Sequence, residues 1–124
     1  MSKFVKVKTQ LRDVALVKQA LDDLQIHYEE NQQYTHFWSK QRTAVPILIS
    51  NGGGKFGLCE DNDGIFEMVG DDMQMRRMRS MMDRVQQRYA YNKVLTETES
   101  AGFSLVEESV GDDNVIRMTV RRWS

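Results

Sequence analysis

Hydrophobic and polar residues alternate from Phe4 to Gln10, with Val5 and Val7 opposed to Lys6 and Lys8, which is the two-residue period of a half-buried strand. The period then lengthens. Val14, Val17, Ala20, Leu21 and Leu24 recur at three- and four-residue steps behind Asp13. That spacing predicts a helix whose first amide protons are accepted by the Asp13 carboxylate and whose end lies near Leu24 or Gln25. Residues 26–30 read as a short second strand and Asn31-Gln32-Gln33 as a turn. No clear period runs through 31–43, where Tyr34, His36, Phe37 and Trp38 crowd together. Residues 44–50 are apolar and β-branched, hence a strand. Pro46 within it cannot donate to a ladder, so an edge position or a bulge is expected.

Asn51-Gly52-Gly53-Gly54 predicts a flexible turn, and Asp61-Asn62-Asp63-Gly64 joins strands 56–60 and 65–69 as a hairpin, because Asp-Gly accepts positive φ. Asp71-Asp72 opens a long helix with acidic residues at its amino end, as the macrodipole prefers. Met78, Met81, Met82, Val85 and Tyr89 form one face, after which the apolar positions shift to Tyr91, Val94 and Leu95. The helix therefore kinks or buries a wider stripe, and Gly102 stops it. Strands 103–110 and 115–123 follow, joined by a turn at Gly111-Asp112-Asp113-Asn114. The order strand, helix, four strands, helix, two strands predicts a single α+β domain over residues 1–124. Its sheet is mostly antiparallel, with two helices packed on one face.

Composition narrows the function classes. The 124 residues carry 17 basic and 18 acidic side chains, a net charge of −1, so bulk charge selects neither a nucleic acid nor a membrane partner. No apolar run approaches the roughly 18 residues of a membrane span, and the amino terminus lacks a signal-peptide core; a soluble cytoplasmic protein is expected. Cys59 is the only cysteine, which excludes an intrachain disulfide and reads as a small buried hydrophobe.

Several patterns invite chemistry and fail in detail. Asn51-Gly52-Gly53-Gly54-Lys55 lacks the Ser or Thr and the following helix of a phosphate loop. Glu60, Asp61 and Asp63 lack the closing half of a calcium loop. His27 and His36 have neither the spacing nor the further ligands of a zinc site. No catalytic residue, metal or cofactor is expected.

Local charge is more informative. Between Gln74 and Lys93 lie Arg76, Arg77, Arg79, Arg84, Arg88 and Lys93 against Asp83 alone. Arg77, Arg84 and Arg88 recur at seven- and four-residue steps and share a helical face. A basic face of this kind can receive phosphates or an acidic protein. Lys6, Lys8, Arg117 and Arg121 could form a second basic surface on the helix-free side of the sheet, with Phe37-Trp38 and Trp123 as stacking aromatics. Met73 and Met75, with Phe66 and Met68, could leave an apolar patch. These features favour a non-enzymatic accessory or adaptor role through protein contacts. Arg77, Arg84, Arg88, Tyr91 and Trp123 are the partner-binding candidates, since Arg and aromatic residues dominate binding hot spots. The alternative is RNA or other nucleic-acid binding through the basic helix or sheet. The carboxy-terminal strand has no edge block and could pair between chains.

Met1-Ser2-Lys3-Phe4, the run Lys6-Val7-Lys8-Thr9-Gln10-Leu11-Arg12-Asp13, and Ala20-Leu21-Asp22-Asp23-Leu24 resemble one uncharacterised family. So do Gln87-Arg88-Tyr89-Ala90-Tyr91 with Lys93-Val94-Leu95, and the closing Val120-Arg121-Arg122-Trp123. It is the family of hypothetical chloroplast reading frame thirty-five, of algal plastids, cyanobacteria and some of their phages. The resemblance implies no catalytic residue and a cytoplasmic or stromal setting. The chain departs from it at Asp71-Asp72-Met73, where the family usually has paired tryptophans. It departs again around Thr35-His36-Phe37-Trp38, where the family is rich in glycine and charge.

Overall fold

The structure, a computed structural model, describes residues 3–51, 54–113 and 115–122. Strand β1 (Phe4–Lys8) leads into helix α1 (Val14–Asp23), then β2 (Tyr28–Thr35), β3 (Arg42–Asn51), β4 (Gly54–Glu60) and β5 (Phe66–Asp71). A 3-10 turn (Asp72–Gln74) feeds α2 (Met75–Ser100), and β6 (Phe103–Val110) and β7 (Ile116–Arg122) follow. The protein is α+β as expected, with its strands divided between two sheets. β1 to β5 form one antiparallel sheet in the order β1-β5-β4-β3-β2, and β6-β7 form a separate two-stranded hairpin.

Local chemistry sets the element ends. Asp13 accepts from the N–H groups of Ala15 (2.9 Å) and Leu16 (3.4 Å), capping α1. Gln25 then turns the chain at φ 58°. Asp61 Oδ1 accepts from the N–H groups of Asp63 and Ile65, and Gly64 at φ 76° completes the β4–β5 turn. The carboxylate is thus consumed by turn chemistry. Beyond the end of α2 at Ser100, Gly102 turns the chain at φ 87°. In the Asn51–Gly54 turn, Gly52 and Gly53 lie outside the described residues; Asn51 and Gly54 are paired, and Lys55 pairs with Ser50 within the strands.

Both helices cover one face of the five-stranded sheet. Val17, Ala20 and Leu21 of α1 and Met78, Met81, Met82, Val85 and Tyr89 of α2 pack on Ile47, Ile49, Phe56, Leu58, Phe66 and Met68. Phe66 and Met68 are fully buried, so the patch anticipated with Met73 and Met75 does not form around them. Tyr89 Oη also accepts from the N–H groups of Arg12 (3.2 Å) and Asp13 (3.0 Å), fixing α2 against the start of α1.

β3 as a whole runs between β4 and β2, but its pairing with β4 begins at Ile47, so Pro46 stands just beyond that ladder. The β2–β3 register passes from Glu30↔Ile47 to Gln32↔Val45, stepping over Asn31 and Pro46, and Asn31 sits at φ 54°. Proline has no N–H to give, and asparagine tolerates the left-handed region. The two residues together form an irregularity that reverses the faces of both strands. Ile47 packs under the helices while Val45, two residues earlier, joins Tyr34, Leu48 and Val69 on the opposite face. The turn expected at 31–33 is therefore continuous strand, and β2 begins at Tyr28 rather than Ile26.

Candidate functional site

The reversal at Asn31 carries Tyr34 and the loop after it onto the helix-free side, beside the end of β5. Tyr34 is buried there, and burial together with the nearby Asp71 carboxylate pushes its phenol above the usual range. His36 is fully buried, with Phe4 edge-on at 6.0 Å. Its Nδ1 accepts from the Ser39 N–H (3.2 Å) and lies 2.7 Å from Ser39 Oγ. Because Nδ1 is an acceptor, the ring proton sits on Nε2, which faces Asp71 Oδ2 at 3.2 Å. Asp71 Oδ1 in turn accepts from the Met73 N–H (2.8 Å), capping the 3-10 turn ahead of α2.

Ser39, His36 and Asp71 are linked in a row, yet the bonds are those of a closed turn. Ser39 Oγ also receives the Gln41 N–H (3.2 Å), and His36 N–H donates to Gln41 carbonyl oxygen (2.8 Å). What the staple achieves is placement. Phe37 and Trp38 protrude from the loop, 69% and 57% exposed, stacked edge-to-face at 5.2 Å, with Lys40 over the Phe37 ring.

Trp38 borders a groove of about 790 Å³ along the amino-terminal half of α2, lined further by Met73, Arg76, Arg77, Ser80 and Arg84. Met73 is 77% exposed. Gln74 lines the groove too, and its Oε1 is buried without a hydrogen-bond partner among the described residues. The site is thus an open surface on which Arg76, Arg77 and Arg84 lie beside the apolar Trp38, Met73 and Met81, with the Asp71 carboxylate also in its lining.

The partner-binding candidates are divided by the fold. Arg77 and Arg84 line this groove. Arg88 does not: its Nε donates to Asp23 Oδ2 at 2.9 Å, and its guanidinium lies 4.4 Å from the Tyr91 ring centroid. Tyr91 donates to Glu108 of the hairpin, which raises the phenol's pKa. Arg88 therefore ties α2 to α1, and Tyr91 ties α2 to β6. Trp123 lies outside the described residues. Lys6 and Lys8 belong to the large sheet and Arg117 and Arg121 to the hairpin, so the four do not assemble one basic sheet face.

α2 uses its wider stripe without a break in the helix. Arg77, Ser80, Arg84, Gln87, Tyr91, Val94 and Thr98 alternate three- and four-residue steps and share one side. The last four border shallow clefts against Ile116, Met118 and Val120 of the hairpin. The first three border the open groove.

Elsewhere, His27 is exposed and His36 buried, and no three His, Cys, Asp or Glu side chains among the described residues gather as a metal site. Cys59 is half-buried against the helix-free cluster, and burial, partly offset by Lys6, holds its thiol above the usual range. Sequence reading missed the His36–Asp71 link because 35 residues separate the partners and no periodic spacing joins them.

A family model described as a protein of unknown function, DUF1257, matches residues 20–119. The chain belongs to the DUF1257 family. This DUF1257 chain is similar to the uncharacterized protein ycf35 of Guillardia theta, 32% identical over 127 residues that cover 99% of this chain and 98% of that one. It is 28% identical to the ycf35 proteins of Pyropia yezoensis and Cyanophora paradoxa, again over nearly the whole of each chain. The alignments therefore take in β1 and β7, beyond the stretch that the DUF1257 model matches. No solved structure matches significantly. No helix among the described residues is long and apolar enough to cross a membrane.

Proposed function

We propose that the protein is a non-enzymatic accessory or adaptor that works through protein–protein contacts, and that the α2 groove is where it holds its partner. The observation that carries this reading is the juxtaposition of Arg76, Arg77 and Arg84 with exposed Trp38 and Met73. Arginine forks pair with carboxylates, and an aromatic and a thioether beside them offer an adaptable apolar anchor. The partner segment this chemistry suits is acidic with one or two apolar side chains. The setting implied by the plastid relatives is stromal, or cytoplasmic.

A second reading is single-stranded nucleic acid, favoured by the Phe37–Trp38 pair beside the arginines, since bases stack on exposed rings. The basic stretch is short, however, and Lys6 and Lys8 lie on a different sheet from Arg117 and Arg121.

Titration of Trp38 emission in a Trp123→Phe background separates the two. The probes are a synthetic Glu-rich peptide containing one leucine, and an oligouridylate. A saturable response to the peptide that Arg84→Glu abolishes supports the adaptor reading. Response to the oligonucleotide alone, with affinity falling steeply with salt, would replace it by the second.

A further inference from the structure

The open groove and the hairpin's seat are two halves of one side of α2. From Gln87 onward the side borders clefts shared with Ile116, Met118 and Val120; from Arg77 to Arg84 it borders the open groove. The chain itself displays a segment whose chemistry complements the groove's arginines. On β6, Val106 and Val110 are 50% and 61% exposed, and Glu107 and Glu108 between them are exposed as well, Glu108 while accepting from Tyr91 of its own α2. Asp112 follows in the turn. The hairpin's own cations are partly engaged at home, Arg117 with Asp113 at 3.0 Å and Arg122 over Phe103.

Spacing permits a closed arrangement. Ser80, at the middle of the groove, and Val94, at the middle of the hairpin seat, are about 21 Å apart along the helix at about 1.5 Å per residue. Gln87 stands midway. Two α2 helices laid antiparallel about a two-fold axis near Gln87 bring each groove opposite the other copy's hairpin. Both contacts then form together, which closes the assembly at two copies rather than a filament.

We propose that the groove is also occupied by a second copy of this chain, the arginines of each α2 receiving the acidic, valine-flanked β6 segment of the other. Self-association and partner binding then compete for one site, so the dimer is the resting form and the monomer the binding form. This rests on the groove being a protein-binding surface.

Sedimentation velocity over a concentration series, with Arg84→Glu, Glu107→Arg and their equimolar mixture, tests it. The wild-type protein should show a reversible monomer–dimer equilibrium. Each variant alone should weaken it about tenfold or more, since two contacts change per dimer. The mixture should recover it, because one contact is then wild-type and the other has its charges exchanged. A wild-type protein that stays monomeric throughout, or a mixture no better than either variant, overturns the proposal. The Glu-rich peptide distinguishes this failure from that of the partner reading. Monomeric wild-type protein that binds the peptide through Arg84 leaves the adaptor role standing and removes the dimer. A dimer that re-forms in the mixture, with no peptide binding by Glu107→Arg, supports self-association and removes the acidic partner.

Discussion

His36 Nε2 lies 3.2 Å from Asp71 Oδ2, joining the loop that carries Trp38 to the residue that caps the approach to α2. One buried imidazole thus fixes the two banks of the groove relative to each other. Replacing it with alanine removes the Asp71 contact and the Ser39 turn bonds and leaves a cavity. His36→Ala is expected to cost about 1–3 kcal/mol and to loosen the 36–41 turn. Urea denaturation measures the first effect, and steady-state anisotropy of Trp38, in the Trp123→Phe background, measures the second. Unchanged anisotropy would show that Trp38 is held by something else.

Gly57 and Gly70 both lack room for a side chain, for different reasons. An alanine Cβ at Gly57 would lie 2.6 Å from Val45 Cγ1 and 2.8 Å from Val69 Cγ2, both buried and β-branched, with little rotameric escape. At Gly70 it would meet the sulfur and terminal methyl of Met78 at 2.7 and 2.8 Å, and a thioether end can turn aside. Gly57→Ala is therefore expected to destabilise by about 1–3 kcal/mol, and Gly70→Ala by less. Paired urea midpoints check the ranking.

Asp23 closes α1, where the helix dipole disfavours a carboxylate. It is tolerated because Asn92 Nδ2 and Arg88 Nε both donate to its Oδ2 at 2.9 Å. The Asn92 amide first, and Arg88 second, hold its pKa below the ordinary 3.8. A carboxyl with a depressed folded pKa contributes stability above the unfolded value, and loses it as pH falls through the folded one. Asp23→Asn should lower the urea midpoint near neutral pH, and the difference from wild type should shrink below about pH 4. A difference that stays constant from neutral to acid would mean the carboxylate's charge contributes nothing.

Gln74 carries a buried carbonyl oxygen with no donor among the described residues. An unmet buried acceptor costs about 1–3 kcal/mol, and an apolar side chain of similar shape avoids that cost. Gln74→Met is expected to raise the thermal midpoint. If it also weakens peptide binding, Gln74 is a contact within the groove.

The periodic parts of the fold were legible in the sequence. Both helices, the Asp61–Gly64 hairpin and the terminal strand pair follow from spacing and turn residues, because those signals are local. The Asn31–Pro46 irregularity was legible only in half. Pro46 announced a broken ladder, but Asn31 signals a turn as readily as a bulge, and the partner strand decides which. The separation of β6-β7 from the main sheet was not visible at all, since alternation says which side of a strand is apolar and not which strand it pairs with. Of the site, Arg77 and Arg84 could be found from charge spacing. Arg88 shares their spacing but is drawn off by Asp23, 65 residues away. The Trp38 bank depends on His36 meeting Asp71, a contact with no local signature.

The claim that the amino-terminal half of α2 and the Trp38 turn form the protein's binding surface is tested most directly by amide hydrogen exchange with and without the Glu-rich peptide. New protection should be confined to residues 36–41 and 73–84. Protection on the large sheet's Lys6–Lys8 edge, or none within 73–84 while the peptide is bound, would contradict it.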